Sequence, residues 1–341
     1  MNYLKKESHF FQLNKTLFAL SSEFAYISFH RKFNMSNSKE KQLKLKGIRL
    51  RKDSEDMKNL ASIMPKTFEN IEQSSLGKYS TGVPVSFYDL DAMTQGLQRG
   101  SLVVVAGRPS MGKTSFAMNL AQNVAKRNKL PVCYFSLEQS REQMSYRFLS
   151  MELGIESGRL RTGRLQQDEW GLIGKEIEDL SEVPIFICDK GSIKVKEMFS
   201  KCRKIKEKQG LGELGLVVVD YIQMMDGPNK ESRDKELSKI VLDLKEMAKA
   251  LDVPVVLMSQ LSRDIEKREN CRPMLCDLRE TQGLEAHADV VIMLYRDEFY
   301  HPETEERGIA ELIVTKHRNG PVGTVKLLFE PQFTRYRNLA A

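Results

Sequence analysis

At 341 residues and 41% hydrophobic composition the chain can bury a full core in one large domain or two modest ones, and no apolar run nears the roughly 20 residues that span a bilayer, so a membrane role is not expected. Five scattered cysteines without a C-x-x-C pair, and five histidines apart from them, point to reduced thiols and an intracellular setting without structural zinc. The net charge of +7 is local, because residues 1–60 hold 13 Lys/Arg against 6 Asp/Glu and leave 40 of each elsewhere; any nucleic-acid contact in the remainder must use particular loops.

Residues 1–60 read as a basic arm, aromatic-rich to residue 34 and charged thereafter; the acid-poor first stretch, with Arg31 and Lys32, weakly resembles an organellar transit segment, and a mobile arm is the blander reading. Residues 61–80 form a linker in which "LASIMPKTFENIEQ" has helical apolar spacing. From residue 81 short β-branched runs alternate with helical stretches: "LVVVA" then 112–128, "VCYFS" then 140–152, a helix in 168–181, "PIFIC" then 193–209, "LGLVVVD" then 235–251, and "PVVLMS". Continuous apolar strands separated by helices mean an α/β fold with a mostly parallel sheet covered on both faces. Ser140 and Gln143 form a capping box opening one helix. The last runs, "DVVIMLYR", "AELIVTKH", "TVKLLFE" and "FTRYR", lack intervening helices and read as a C-terminal antiparallel extension of the sheet.

The segment "GRPSMGKT" matches G-x-x-x-x-G-K-[ST] between an apolar strand and an amphipathic helix, the context a phosphate-binding loop requires. Gly107, Arg108, Pro109, Ser110, Met111, Gly112, Lys113, Thr114 and Ser115 form the expected cradle: backbone N–H groups face phosphate oxygens, Lys113 reaches the β- and γ-phosphates of ATP, and the Thr114 hydroxyl joins Mg²⁺ coordination. Asp220 ends an apolar strand and supplies the carboxylate that holds the metal. Glu138, at the end of the neighbouring strand, is placed to orient or deprotonate an attacking water. Gln260, just past another strand, either contacts the γ-phosphate or hydrogen-bonds the loop backbone.

The polar stretch 261–289 carries five Lys/Arg and seven Asp/Glu, so composition favours a solvated loop; a nucleic-acid contact there would use Arg279 and backbone N–H groups near Gly283. Lys316 and Arg318 alternate at a strand end before the turn Asn319-Gly320-Pro321. Spacing leaves two readings for them, surface charge or an arginine finger acting on a neighbouring subunit.

From about Thr67 onward the ordered blocks "TGVPVSFYDLDAMTQGLQRG", "GRPSMGKTSFAMNLA", "FSLEQS", "LRTGRL", "VVVDYIQMM", "VPVVLMSQLSR", "RPMLCDLRETQGLEAHADVVIMLYRDEFYH" and "KHRNGPVGTVKLLFE" resemble the C-terminal motor domain of the DnaB family of replicative DNA helicases. The resemblance implies a RecA-like P-loop NTPase core in a homo-hexamer, with ATP between subunits and single-stranded DNA in the central channel. It implies 5′ to 3′ translocation that unwinds forked DNA, a bacterial-type cytoplasmic setting with an organellar one as the alternative, and a helicase loader as a partner. It assigns Lys113 and Thr114 to phosphate and Mg²⁺, Glu138 to water activation, Asp220 to the metal, Gln260 to sensing the γ-phosphate, and Lys316 and Arg318 to action in trans. Arg279, Glu280 and Gly283 fall on the family's DNA-contacting loop. The family's helical N-terminal domain forms a collar and meets primase; fewer than seventy residues precede the match, so neither collar nor primase contact is expected. Gln139 stands where a Met is expected and His317 where an amide is expected. Two other readings of the same core are an ATP-switched filament on single-stranded DNA and a shortened subunit that regulates a partner ring.

Overall fold

A computed structural model describes residues 59–76, 82–208, 212–225 and 233–339, with the side chains of 279–282 excepted. The arm up to residue 58, the end of the linker at 77–81, and the side chains of Arg279 and Glu280 therefore lie outside the described residues. The chain divides into two units, Met1–Glu69 and Asn70–Ala341. In the first, the described residues are mostly helical, the opening part of α1 (Leu60–Ser75), and Leu60, Ile63, Met64 and Phe68 recur at helical spacing on an exposed face.

The second unit is built on a nine-stranded sheet. Its parallel strands are β3 (Leu102–Gly107), β4 (Val132–Ser136), β5 (Ile185–Cys188), β6 (Leu216–Asp220), β7 (Val255–Gln260) and β8 (Val290–Tyr295), and three antiparallel strands follow: β9 (Ile309–His317), β10 (Gly323–Glu330) and β11 (Arg335–Asn338). The spatial order is β11-β10-β9-β8-β3-β7-β6-β4-β5. A small ribbon of β1 (Gly82–Val83) and β2 (Leu97–Gln98), with helix α2 (Tyr88–Thr94) between them, precedes the sheet.

The period-2 alternation of each strand explains the unbroken apolar runs, since both faces are covered. Val103 and Val105 of β3 join Val132 and Tyr134 of β4 and Leu216 and Val218 of β6 under α3 (Lys113–Arg127) and α4 (Arg141–Leu153). Leu102, Val104 and Ala106, with Cys133, Phe135, Val217 and Val219, face the other way onto α7 (Val195–Lys206) and α8 (Arg233–Leu251). Helices α5 (Ser157–Thr162) and α6 (Glu169–Ser181) extend the α4 side.

The helix starts carry local reasons. Ser140 accepts from the Gln143 backbone while Gln143 reaches back to the Ser140 N–H, the reciprocal cap expected at the opening of α4. At the opening of α3, Gly112 has φ +89°, and a Cβ there would meet the Tyr336 hydroxyl at 2.5 Å.

One strand runs differently from the sequence reading. The antiparallel set begins at β9, because β8 pairs with β3 in parallel. The reason lies in the polar stretch before it, which contains a crossover helix, α9 (Gln282–His287), packed on α8. Gly283 makes that packing possible, since a Cβ at this position would stand 2.6 Å from the Ser238 Cα.

Candidate nucleotide site

The cleft forms at the carboxyl ends of the parallel strands, where apolar runs stop and polar side chains begin. In β6 the residues facing α3 are Leu216 and Val218, and the same parity turns Asp220 toward the start of α3. There the Thr114 hydroxyl donates to its carboxylate. Tyr134, of matching parity on the adjacent β4, donates its hydroxyl to Asp220 Oδ2 at 3.1 Å. Asp220 is buried, and desolvation raises its carboxyl pKa against the opposing pull of Thr114, Tyr134 and the Lys113 charge.

Lys113 donates to the carbonyls of Gly107 at 2.8 Å and Arg108 at 2.9 Å, which folds its side chain back over the loop. Burial lowers its pKa to about 8, against the attraction of Asp220. Glu138 is exposed at the rim of the cleft, yet its charge reaches Lys113 and Asp220. Its strand β4 borders the Asp220 strand, while β6 and β7 separate it from the phosphate loop's own strand.

The cleft has a volume of about 740 Å³ and is lined by Lys113, Thr114, Glu138, Asp220 and Gln260 among others. Pro109, Ser110, Gly112 and Ser115 of the loop also face it. Gly107 ends β3 against Leu294, and Met111 is core. Arg108 turns its side chain out of the cleft: the guanidinium is buried and donates to Glu266 at 2.8 Å and the Leu261 carbonyl at 3.0 Å.

Lys316 and Arg318 sit elsewhere. Lys316 donates to the Glu285 carbonyl and Arg318 to the Ala286 carbonyl at 2.8 Å, both at the C-terminal end of α9, and neither lines the cleft of its own chain. Burial lowers the Lys316 pKa, with Arg318 adding repulsion. Arg318 remains exposed, and Asp289 lies 3.7 Å from its Nε. Gly283 is within α9, so its described role is close packing on α8.

Four contributors escaped the sequence reading. Tyr134 looked like one more apolar strand residue. Gln223 donates to Ser259 Oγ at 3.2 Å and accepts from the Gln260 N–H at 3.3 Å, which fixes the end of β7. Arg147, midway along α4, lines the cleft as an additional cation. Arg296 donates to the Ser110 carbonyl at 3.0 Å and lies over the Phe329 ring at 4.8 Å, clamping the loop. Strand alternation could have flagged Tyr134; nothing local marked the other three.

Residues 82–338 match the family described as DnaB-like helicase C terminal domain. The chain is 43% identical over 303 residues to the replicative DNA helicase DnaB of Geobacillus stearothermophilus, covering 88% of this chain and 66% of the relative. Against the replicative DNA helicase DnaC of Bacillus subtilis strain 168 it is 44% identical over 292 residues, covering 85% and 64% respectively. The chain thus spans just under two thirds of the length of these curated relatives. Among solved structures, a DnaB-like replicative helicase, solved together with its interactions with primase, superimposes with a TM-score of 0.76 at 38% identity, covering 84% of this chain and 68% of that one. A second solved structure, an ATPase domain, gives a TM-score of 0.79 at 38% identity, covering 84% of this chain and 100% of that domain.

Proposed function

The chain belongs to the DnaB-like helicase family, and on that premise we propose that it is an ATP-driven motor that translocates 5′ to 3′ on single-stranded DNA and separates the strands of forked duplexes during replication. The observation that carries this reading is the convergence of Lys113, Thr114, Glu138, Asp220 and Gln260 on one cleft from the ends of β3, β4, β6 and β7.

Each side chain has a role suited to ATP hydrolysis. Loop N–H groups and Lys113 hold the phosphates. The Asp220 carboxylate and Thr114 hydroxyl meet at one point and offer hard oxygen donors, a set that fits Mg²⁺ beside phosphate oxygens. When bound, the ion neutralises charge on those oxygens. Glu138 accepts the proton of the attacking water at the γ-phosphorus, and Gln260, its backbone held by Gln223, contacts the γ-phosphate. Lys316 and Arg318 act on the nucleotide of a neighbouring copy in a homo-hexamer; that neither lines the cleft of its own chain supports this. Arg279, Glu280 and backbone near Gly283 contact DNA. A loader places the ring.

The test is unwinding of a forked duplex carrying a 5′ tail, a 3′ tail or both, by the purified chain and by Lys113→Ala. Unwinding that requires the 5′ tail and disappears in the variant supports the motor. Hydrolysis at the normal rate in Lys113→Ala would remove the phosphate-loop assignment.

A further inference from the structure

Arg108 belongs to the phosphate loop by sequence but directs its guanidinium to the polar stretch that follows β7. Its Nε and Nη2 both reach Glu266 Oε1, at 2.8 and 2.7 Å, and Nη1 donates to the Leu261 carbonyl at 3.0 Å. The backbone adds a third stitch, from the Leu261 N–H to the Gly107 carbonyl at 3.3 Å. Glu266 lies on a short 3₁₀ turn, Arg263–Lys267, pinned by the buried Ile265 and capped by Ser262. Two residues later Arg268 donates to Asp277 Oδ2 at 2.7 Å and to the Arg272 carbonyl at 3.1 Å. Asp277 also accepts from the Met274 N–H at 2.7 Å, and it precedes Arg279 by two residues.

We infer that these two ion pairs, Arg108–Glu266 and Arg268–Asp277, form a strut that couples the phosphate loop to the DNA-contacting stretch; the inference rests on the motor reading above. Burial makes a strut of them. Each pair has one buried partner, the Arg108 side chain at 8% exposure against 43% for Glu266 and Asp277 at 9% against 28% for Arg268, so each is held in place from its buried end, unlike a fully exposed pair whose long side chains wander. Hydrogen bonds from a charged group in such a setting are costly to leave unmade, so the two ends move together. Displacement of the loop on binding phosphate is thereby handed through Asp277 to the neighbouring Arg279, and seating of DNA at Arg279 is handed back. Neither Glu266 nor Asp277 touches the nucleotide cleft, so both are positioning residues.

Glu266→Gln and Asp277→Asn each keep shape and remove the charge. The experiment measures, on the full chain, the KM for ATP, basal hydrolysis, and hydrolysis with a saturating thymidine oligonucleotide, with melting curves for each variant. In both variants we expect KM and basal rate as in the wild type and a stimulation factor lowered by about tenfold, the scale of one charged hydrogen bond. Glu266→Asp, which keeps the charge, should recover part of the stimulation. Wild-type stimulation in a folded Glu266→Gln overturns the strut. So does an equal drop in basal and stimulated rates, which would mean that Glu266 merely supports the loop. If Asp277→Asn melts early, the half-exposed Glu266 carries the test alone. A wild-type chain whose hydrolysis ignores DNA overturns the motor reading, and the strut with it.

Discussion

The hydroxyl of Tyr134 donates to the carboxylate of Asp220 at 3.1 Å, with both side chains buried where two adjacent strands end. Thr114 donates to the same carboxylate from the start of α3. Tyr134 is thus a support for the group proposed to hold the metal. Tyr134→Phe removes a donor that lowers the Asp220 pKa, so that pKa rises further. We expect hydrolysis to fall by about tenfold at neutral pH, the effect of losing one hydrogen bond to a charged group, with KM for ATP nearly unchanged. The acid limb of the rate profile should move to higher pH. A profile superimposable on the wild type would exclude this role.

Lys113 gives a pH dependence of known sign. The folded chain holds its ammonium proton less tightly than the unfolded chain, about 8 against 10.5, so the unfolded state binds more protons between those values. The destabilisation from burying the ammonium is complete below about pH 8 and is relieved as pH rises toward 10.5. Urea unfolding at several pH values should therefore show the nucleotide-free wild type gaining stability relative to Lys113→Met across this window. Nucleotide affinity should change the opposite way, weakening above about pH 8 as the ammonium is lost.

Arg318 faces α9 and not the cleft of its own chain. Arg318→Ala should bind nucleotide nearly as well as wild type while losing DNA-stimulated hydrolysis by at least about a hundredfold, in line with trans-acting arginines. Mixing it with Lys113→Ala should restore part of the activity, because some interfaces then pair an intact phosphate loop with an intact Arg318. Absence of any recovery in mixed assemblies would argue for a role within one chain.

Gly283 and Arg279 lie four residues apart and should fail in different ways. Gly283→Ala places a Cβ 2.6 Å from the Ser238 Cα, so α9 must shift on α8 at a cost of about 1–3 kcal/mol, visible as a lower melting temperature. Arg279→Ala should leave melting unchanged, weaken binding of single-stranded DNA, and reduce the salt dependence of that binding by a slope of about one. Identical behaviour of the two would contradict the division between packing and contact.

The strand and helix alternation from residue 102 onward, the capping box at Ser140 and Gln143, and the phosphate loop were legible because their causes are local: side-chain period, cap chemistry, and glycines at turns. The membership of Asp220 in the cleft was legible too, since it ends an apolar strand. What sequence could not supply was adjacency. Strand order is decided by crossovers, so only the fold shows that β7 and β6 stand between the phosphate loop's strand and that of Glu138. The parallel course of β8 depended on a short helix hidden in a polar stretch whose composition suggested only a solvated loop. Arg108 shows the limit most directly. Its place in the loop follows from a run of consecutive letters, but the direction of its guanidinium depends on Glu266, 158 residues away, and on the burial that holds them together.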